Sequence, residues 1–207
     1  MQTPNQYSIH NCEMLIIAAG QSKRLGKPKQ LLAFEGKSLI NRLIETSKRA
    51  GTYPITLVLG ANSDKITAQL EDEHLTVVIN EQWEEGMASS IRTGVKSMIQ
   101  ASPNIDGIMI LVCDQPFINA ESINGLIASQ LSTGKPIAAC YYANVSGTPA
   151  LFHKSIFPEL LALKGDIGAK KIIKNKEEEV TKLHFEKGVL DIDTEADYKQ
   201  LLKEENK

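Results

Sequence analysis

The chain has 207 residues, 42% apolar and 23% charged, the proportions of a folded globular protein and too apolar for a disordered one. Twenty-three basic residues face 25 acidic ones, a formal net charge of -2, so the global positive excess of a nucleic-acid binder is absent. The three cysteines, Cys12, Cys113 and Cys140, are odd in number, far apart and outside any CxxC or Cys/His ligand spacing, which fits a reducing compartment and a core without disulfide or metal staple.

Residues 1–12 are polar and are expected to form a flexible tail ahead of a single domain over 13–207. Residues 14–19 are continuously apolar. Six residues are too few for a signal segment or a membrane span, so a soluble, cytoplasmic protein is expected. The same run reads as a first strand, and 55–59, 75–79, 108–113 and 136–140 read as further strands. Three of these have almost no polar alternation, as strands buried on both faces do.

Helical spacing separates them. Leu39, Ile40, Leu43 and Ile44 recur ahead of Gly51; Ile91, Val95, Met98 and Ile99 follow the third strand; Ile123, Leu126, Ile127 and Leu131 precede Gly134. Strands alternating with helices predict βαβ units, hence a doubly wound α/β domain whose mostly parallel sheet carries helices on both faces. The last third is less regular. Residues 148–152 could add a strand, confined by Pro149 to an edge, and 180–185 alternate like another edge strand, giving one antiparallel edge region. A short helix is expected over 166–176, and Thr194 with Asp197 resembles a capping box opening a terminal helix with Tyr198, Leu201 and Leu202.

The segment after the first strand carries most of the chemical information. That strand ends at Gly20, and Lys23, Arg24, Lys27 and Lys29 follow closely. Small residues let the backbone approach a phosphate chain, which amides and cations then neutralise. The loop fits neither the Walker A spacing, since five residues separate Gly20 from Gly26 and Pro28 follows Lys27, nor GxGxxG. A solvated basic loop is the bland alternative. Asp114 follows the apolar run 108–113, where a carboxylate needs a partner; Mg²⁺ suits a phosphate site, and a turn cap with Pro116 is the rival reading.

The pattern Ala18-Ala-Gly-x-Ser-x-Arg-Leu-Gly-x-x-Lys29 closely resembles the signature loop of nucleotidyltransferases that act on nucleoside triphosphates, and more narrowly of the molybdenum cofactor cytidylyltransferase family. The resemblance continues in Asn80-x-x-Trp-x-x-Gly-Met-x-x-Ser-Ile91, Cys113-Asp-Gln-Pro116, Gly147-Thr-Pro-Ala-Leu-Phe152, Gly165-Asp-Ile-Gly-Ala169 and Asp191-Ile-Asp-Thr-x-x-Asp-Tyr198. It implies a Rossmann-like nucleotidyltransferase fold and transfer of CMP from CTP to the phosphate of molybdopterin cofactor, with release of pyrophosphate.

Under that resemblance Arg24 and Lys29 are the catalytic cations. Ala18, Ala19, Gly20, Gln21, Ser22, Gly26, Asn80, Gly86, Met87 and Ser90 bind the nucleotide, with Ser89 beside them. Asp114 and Asp193 bind Mg²⁺, although an Asp just before the terminal helix also favours the helix dipole without any metal. Gly147, Thr148, Pro149, Asp166, Gly168 and Lys170 line the acceptor side. Many members of the family carry His where this chain has Thr148 and Arg where it has Lys170, which bears on the acceptor's identity. Ala18-Ala-Gly20 resembles the cytidylyl branch, favouring CTP over another nucleoside triphosphate. A sugar or polyol phosphate acceptor, and a non-catalytic nucleotide- or cofactor-binding chaperone, are the alternatives. No nucleic acid or membrane partner is expected; transient contact with a molybdoenzyme or its chaperone is.

His10, His74, His153 and His184 are scattered and match no ligand spacing, and Cys113 reads as a small buried hydrophobe.

Overall fold

A computed structural model describes residues 7–205. In chain order the elements are β1 (Cys12–Ile17), β2 (Ala33–Phe34), β3 (Lys37–Ser38), α1 (Leu39–Ala50), β4 (Ile55–Leu59), α2 (Ser63–Thr67), β5 (Thr76–Ile79), α3 (Met87–Ala101) and β6 (Gly107–Val112). After these come α4 (Ala120–Thr133), β7 (Ile137–Tyr142), β8 (Val145–His153), α5 (Phe157–Leu161), α6 (Lys170–Asn175), β9 (Val180–His184) and α7 (Glu195–Glu205). β2 and β3 form a small hairpin; the other seven strands make one sheet in the order β5-β4-β1-β6-β8-β7-β9.

β1 pairs in parallel with both β4 and β6. All six of its residues are buried, as its apolar run predicts. Side chains alternate across the sheet: Met14 and Ile16 join one core with Ile40 and Leu43 of α1 and with Ile123 and Leu126 of α4. Leu15 and Ile17 join the other, with Ile91, Val95 and Met98 of α3, Leu160 of α5 and Ile172 of α6. The doubly wound α/β architecture is therefore as expected. α1 and α3 lie on opposite faces, and the strand order reverses between β1 and β6. Such a switch point opens a crevice at the carboxyl ends of the strands.

The helix ends follow the sequence signals. Ser38 caps α1; Asn119 and Ser122 form a capping box on α4, which ends at Gly134 in the left-handed region. The box expected before α7 is present: the Thr194 amide donates to Asp197 Oδ2 at 2.7 Å and the Asp197 amide to Thr194 Oγ1 at 3.2 Å.

Two expectations are corrected. The antiparallel strand is β8, which lies inside the sheet between β6 and β7. Pro149 is tolerated there because the register shifts: Ala139 pairs with Ala150 but Cys140 pairs with Gly147, so Thr148 and Pro149 fall in a bulge where no ladder N–H is required. β9 is an edge strand as expected, running parallel to β7. The second correction concerns the tail. Its residues 1–6 lie outside the described residues, whereas 7–12 are tied down: Ile9 is buried, the His10 and Asn11 amides donate to Asp106, and Gln130 donates to the Tyr7 carbonyl. Among the described residues no helix is long and apolar enough to cross a membrane.

α3 lies close to the sheet because Gly94 faces it. A Cβ there would sit 2.3 Å from Leu15 Cδ1 and 2.9 Å from Val58 Cγ2. We expect Gly94→Ala to destabilise the fold by about 1–3 kcal/mol, overpacking outweighing the ~1 kcal/mol helix preference for Ala. Urea unfolding checks this: the midpoint should fall with an unchanged slope, and a midpoint at or above the wild-type value would contradict the close packing.

Candidate active site

A cleft of about 750 Å³ opens at the carboxyl ends of β1 and β6. Its first wall is the loop after β1. The Ala18 amide still donates to Val58 O, extending the strand by one residue before the chain turns away. Ser22 then adopts φ 57 and Gly26 φ 72, and the Leu25 and Gly26 amides both donate to the Ser22 carbonyl, closing a tight turn. Ser22 Oγ accepts the Lys29 amide at 3.1 Å, fastening the loop's start to its end.

Sequence reasoning missed the residue that braces this loop. Gln30 is 1% exposed, and its Nε2 donates to Ala18 O at 2.7 Å and Gly20 O at 3.0 Å. The only available signal is a polar residue between Lys29 and the apolar Leu31-Leu32, and nothing in the sequence says what it braces.

The catalytic candidates converge. Lys29 Nζ lies 2.8 Å from Asp114 Oδ2 and 2.9 Å from Asp193 Oδ1, and Arg24 Nη2 lies 2.8 Å from Asp193 Oδ2. Asp114 arrives at the end of β6. Asp193 is delivered from the far end of the chain by a single backbone bond, the Ile192 amide donating to Asp114 O at 2.9 Å, with buried Ile192 as anchor. Asp197 holds the Asp193 amide at 3.1 Å and so fixes the turn into α7.

Electrostatics follow from this geometry. Burial alone would lower the Lys29 pKa, but the Asp114 and Asp193 carboxylates outweigh it and hold the ammonium above its ordinary value. Partial burial pushes Asp193 up, and Lys29 and Arg24 more than reverse it, leaving the carboxyl below the usual range. Asp191 keeps a solvent-facing edge, yet crowding by protein and the like charge of Asp114 push it up to about 6. Cys113 is buried, and its thiol is driven upward, which removes it as a nucleophile.

Two carboxylates that meet on one ammonium are the groups here that could hold a cation. Lys29 Nζ is the stand-in, within 2.9 Å of an oxygen from each. Among the described residues no group of three or more His, Cys, Asp or Glu gathers as a metal cluster. Asp114 and Asp193 are the carboxylates that could hold a hard cation here, with phosphate and water oxygens completing its shell.

The remaining predicted residues divide clearly. Ala18, Ala19, Gly20, Gln21, Ser22, Gly86, Met87, Ser90 and Asp166 line the cleft with Arg24, Lys29, Asp114 and Asp193. Lys23 lines it too, whereas Lys27 turns away to Glu195 and the Tyr198 ring. Gly26 serves the turn. Asn80 is not on the wall: it is buried and donates to Ser89 Oγ at 2.8 Å and Ser90 Oγ at 3.0 Å, locking the first turn of α3 from behind. Trp83 and Glu85, given no binding role from the sequence, form part of the rim.

Gly147, Thr148, Pro149, Gly168 and Lys170 do not line this cleft. Thr148 is buried and its carbonyl accepts the Tyr142 hydroxyl; Lys170 Nζ lies 5.8 Å from the centre of the Tyr142 ring; a Cβ on Gly147 would meet both Tyr142 and Lys170. Gly147, Thr148 and Lys170 form a second group around Tyr142, within electrostatic reach of Asp191. Gly168 packs against Met87 instead.

Comparison with known proteins places the chain in a family. Residues 14–180 match the family model described as MobA-like NTP transferase domain. Nicotine blue oxidoreductase of Paenarthrobacter nicotinovorans is 29% identical over 170 residues, covering 78% of this chain and 81% of that protein. A homologue of Mycobacterium tuberculosis Rv0371c from Mycobacterium sp. strain JC1 superimposes with a TM-score of 0.82 at 31% identity, over 94% of this chain and 96% of that one. Rv0371c from M. tuberculosis H37Rv, solved in complex with manganese, gives 0.78 at 26% identity over 94% and 99%.

Proposed function

The chain belongs to the MobA-like NTP transferase family and is a nucleotidyltransferase, and from that premise we propose its specific reaction: CMP passes from CTP to the phosphate of molybdopterin cofactor, and pyrophosphate leaves. The observation that carries the reading is the meeting of Arg24, Lys29, Asp114 and Asp193 at the switch-point cleft.

An oxygen of the acceptor phosphate attacks the α-phosphorus, a new P–O bond forms, and the bond to the bridging oxygen of the pyrophosphate breaks. The acceptor oxygen is already anionic, so no base has to remove a proton, and rate comes from alignment and charge neutralisation. Arg24 is 69% exposed at the mouth, placed to swing its planar fork onto the triphosphate. Lys29 is only 17% exposed and acts from the floor as a point charge on the α-phosphoryl oxygens. Asp114 and Asp193 would hold Mg²⁺, which when bound supplies further positive charge to the triphosphate. The manganese in the Rv0371c structure supports a divalent cation here.

Ala18, Ala19, Met87 and Ser90 would receive the base and ribose, and the resemblance of Ala18-Ala-Gly20 to the cytidylyl branch supports CTP. The group around Tyr142, together with Asp166, would receive the acceptor. A bare nucleotide-binding chaperone would have no use for two carboxylates aimed at one cation beside two phosphate-seeking cations. On this reading the reaction runs in the cytoplasm, without nucleic acid or membrane partners, with transient delivery of the product to a molybdoenzyme or its chaperone.

The test is pyrophosphate release with Mg²⁺ and molybdopterin cofactor, comparing CTP, GTP and ATP, with sugar and polyol phosphates as alternative acceptors. We expect release that requires molybdopterin and is fastest with CTP. Release only with another acceptor, or nucleotide binding without turnover on any of them, would overturn the specific reaction.

A further inference from the structure

The segment 163–169 runs past the mouth of the cleft with little apolar anchorage of its own. Leu163 and Ala169 are buried at its ends; between them Lys164, Asp166 and Ile167 are exposed, and Gly165 turns with φ 64. A stretch like this keeps its place through polar tethers. Here the tethers lead to residues 85–92.

Arg92 organises them. Its Nη1 lies 2.8 Å from Glu85 Oε1 and its Nη2 lies 2.6 Å from Glu85 Oε2, a bidentate pair, while Nη1 also donates to Leu163 O at 2.7 Å. Glu85 Oε1, so oriented, accepts the Gly165 amide at 3.4 Å. The start of α3 completes the attachment: the Ala88 amide donates to Gly165 O at 3.1 Å and the Met87 amide to Asp166 Oδ1 at 3.3 Å. The backbones are nearly in contact, since a Cβ on Gly86 would lie 2.6 Å from Asp166 Cα. Gly86, at φ 114, is the residue that permits this approach.

Glu85, Gly86, Met87 and Asp166 all line the cleft, and Arg92 does not. We infer that Arg92 is a positioning residue that holds the Asp166 loop against the nucleotide wall and thereby sets recognition of the phosphorylated acceptor. Two walls that look separate in the sequence, 85–90 and 165–168, then behave as one jaw. A lysine could not replace it, because a single ammonium cannot span both Glu85 oxygens and the Leu163 carbonyl in one plane. The inference rests on the reading of Asp166 as an acceptor contact.

The experiment compares wild type, Arg92→Lys and Arg92→Met by hydrogen exchange and by steady-state kinetics with CTP and molybdopterin cofactor. In both variants amide exchange over 163–168 should rise about tenfold or more while β1 and β6 stay protected. The KM for molybdopterin should rise about tenfold, with kcat and the KM for CTP within about threefold of wild type. In an Asp166→Ala background, Arg92→Met should add no further rise in that KM. Unchanged exchange over 163–168, or a fall in kcat with an unaffected acceptor KM, overturns the role. If the wild type itself fails to turn over, the reaction assigned above is wrong, and the exchange measurement still decides whether Arg92 tethers the loop.

Discussion

Asp114→Asn is expected to lower kcat/KM for pyrophosphate release by about a thousandfold or more, since it removes one of the two carboxylates proposed above to hold a divalent cation beside the triphosphate. The substitution keeps the side chain's shape. Its amide oxygen can still accept from Lys29, now 2.8 Å from Asp114 Oδ2, but the charge that fixes that ammonium and would fix a metal is gone. The stability cost should be small. Asp114 is 23% exposed, so water screens the pair, and the loss should be on the order of 1 kcal/mol. Circular dichroism should therefore show an intact fold and a melting temperature within a few degrees of wild type. A variant retaining a tenth of wild-type activity would remove Asp114 from the reaction.

The expected size of that effect follows from how completely the fold commits Asp114 to the cleft. It was legible in the sequence because its cause is local: a polar residue ending the apolar run of β6 must emerge at the carboxyl edge of the sheet. The small residues 18–20 and the basic loop after them were legible for the same reason, with Lys29 singled out by the family resemblance; the α/β alternation was legible too, and the buried triplet β4, β1 and β6 reproduces it. What the sequence did not disclose depends on distant pairings. Pro149 argued for an edge, and only the register shift opposite Ala139 and Cys140 explains its place inside the sheet. Asn80 matched a nucleotide-binding block, yet its amide is consumed by Ser89 and Ser90. Gln30 carries no motif at all, because its partners are two backbone carbonyls 10 and 12 residues away.

Asp193 is the instructive case. Its position before α7 was compatible with a simple helix-terminal charge, and nothing nearby in sequence distinguishes that role from a ligand. What supports the proposed ligand role is non-local: the backbone bond between Ile192 and Asp114 sets two carboxylates side by side that lie far apart along the chain. The acceptor blocks divided for a related reason. Asp166 reached the cleft because its loop docks on α3, whereas Gly147, Thr148 and Lys170 follow β8 and α6 to the neighbouring Tyr142 group.

Lys29→Met should produce two opposite effects, and their opposition is what makes the variant informative. Turnover should fall by about a hundredfold to a thousandfold, because a preorganised cation is lost from the developing charge on the α-phosphoryl group. Binding of Mn²⁺ alone should nevertheless become tighter, by about tenfold or more. The reason lies in the geometry. Lys29 Nζ occupies the point on which Asp114 Oδ2 and Asp193 Oδ1 converge, at 2.8 and 2.9 Å, and a divalent cation held by the same oxygens needs that space. A monovalent and a divalent charge ~4 Å apart repel by roughly 8 kcal/mol at an effective dielectric of about 20 and roughly 2 kcal/mol in bulk water. With Lys29 17% exposed, the true cost falls between these limits, and the ammonium must leave before a metal settles. A triphosphate gives it somewhere to go. In the wild type, a non-hydrolysable CTP analogue should therefore strengthen Mn²⁺ binding far more than it does in Lys29→Met, where no ammonium has to be displaced. Electron paramagnetic resonance of Mn²⁺ with and without the analogue measures both affinities directly, independently of turnover. Equal or weaker Mn²⁺ binding by the variant would show that Lys29 and the metal do not compete, and unaltered Mn²⁺ binding in Asp114→Asn would instead move the metal elsewhere.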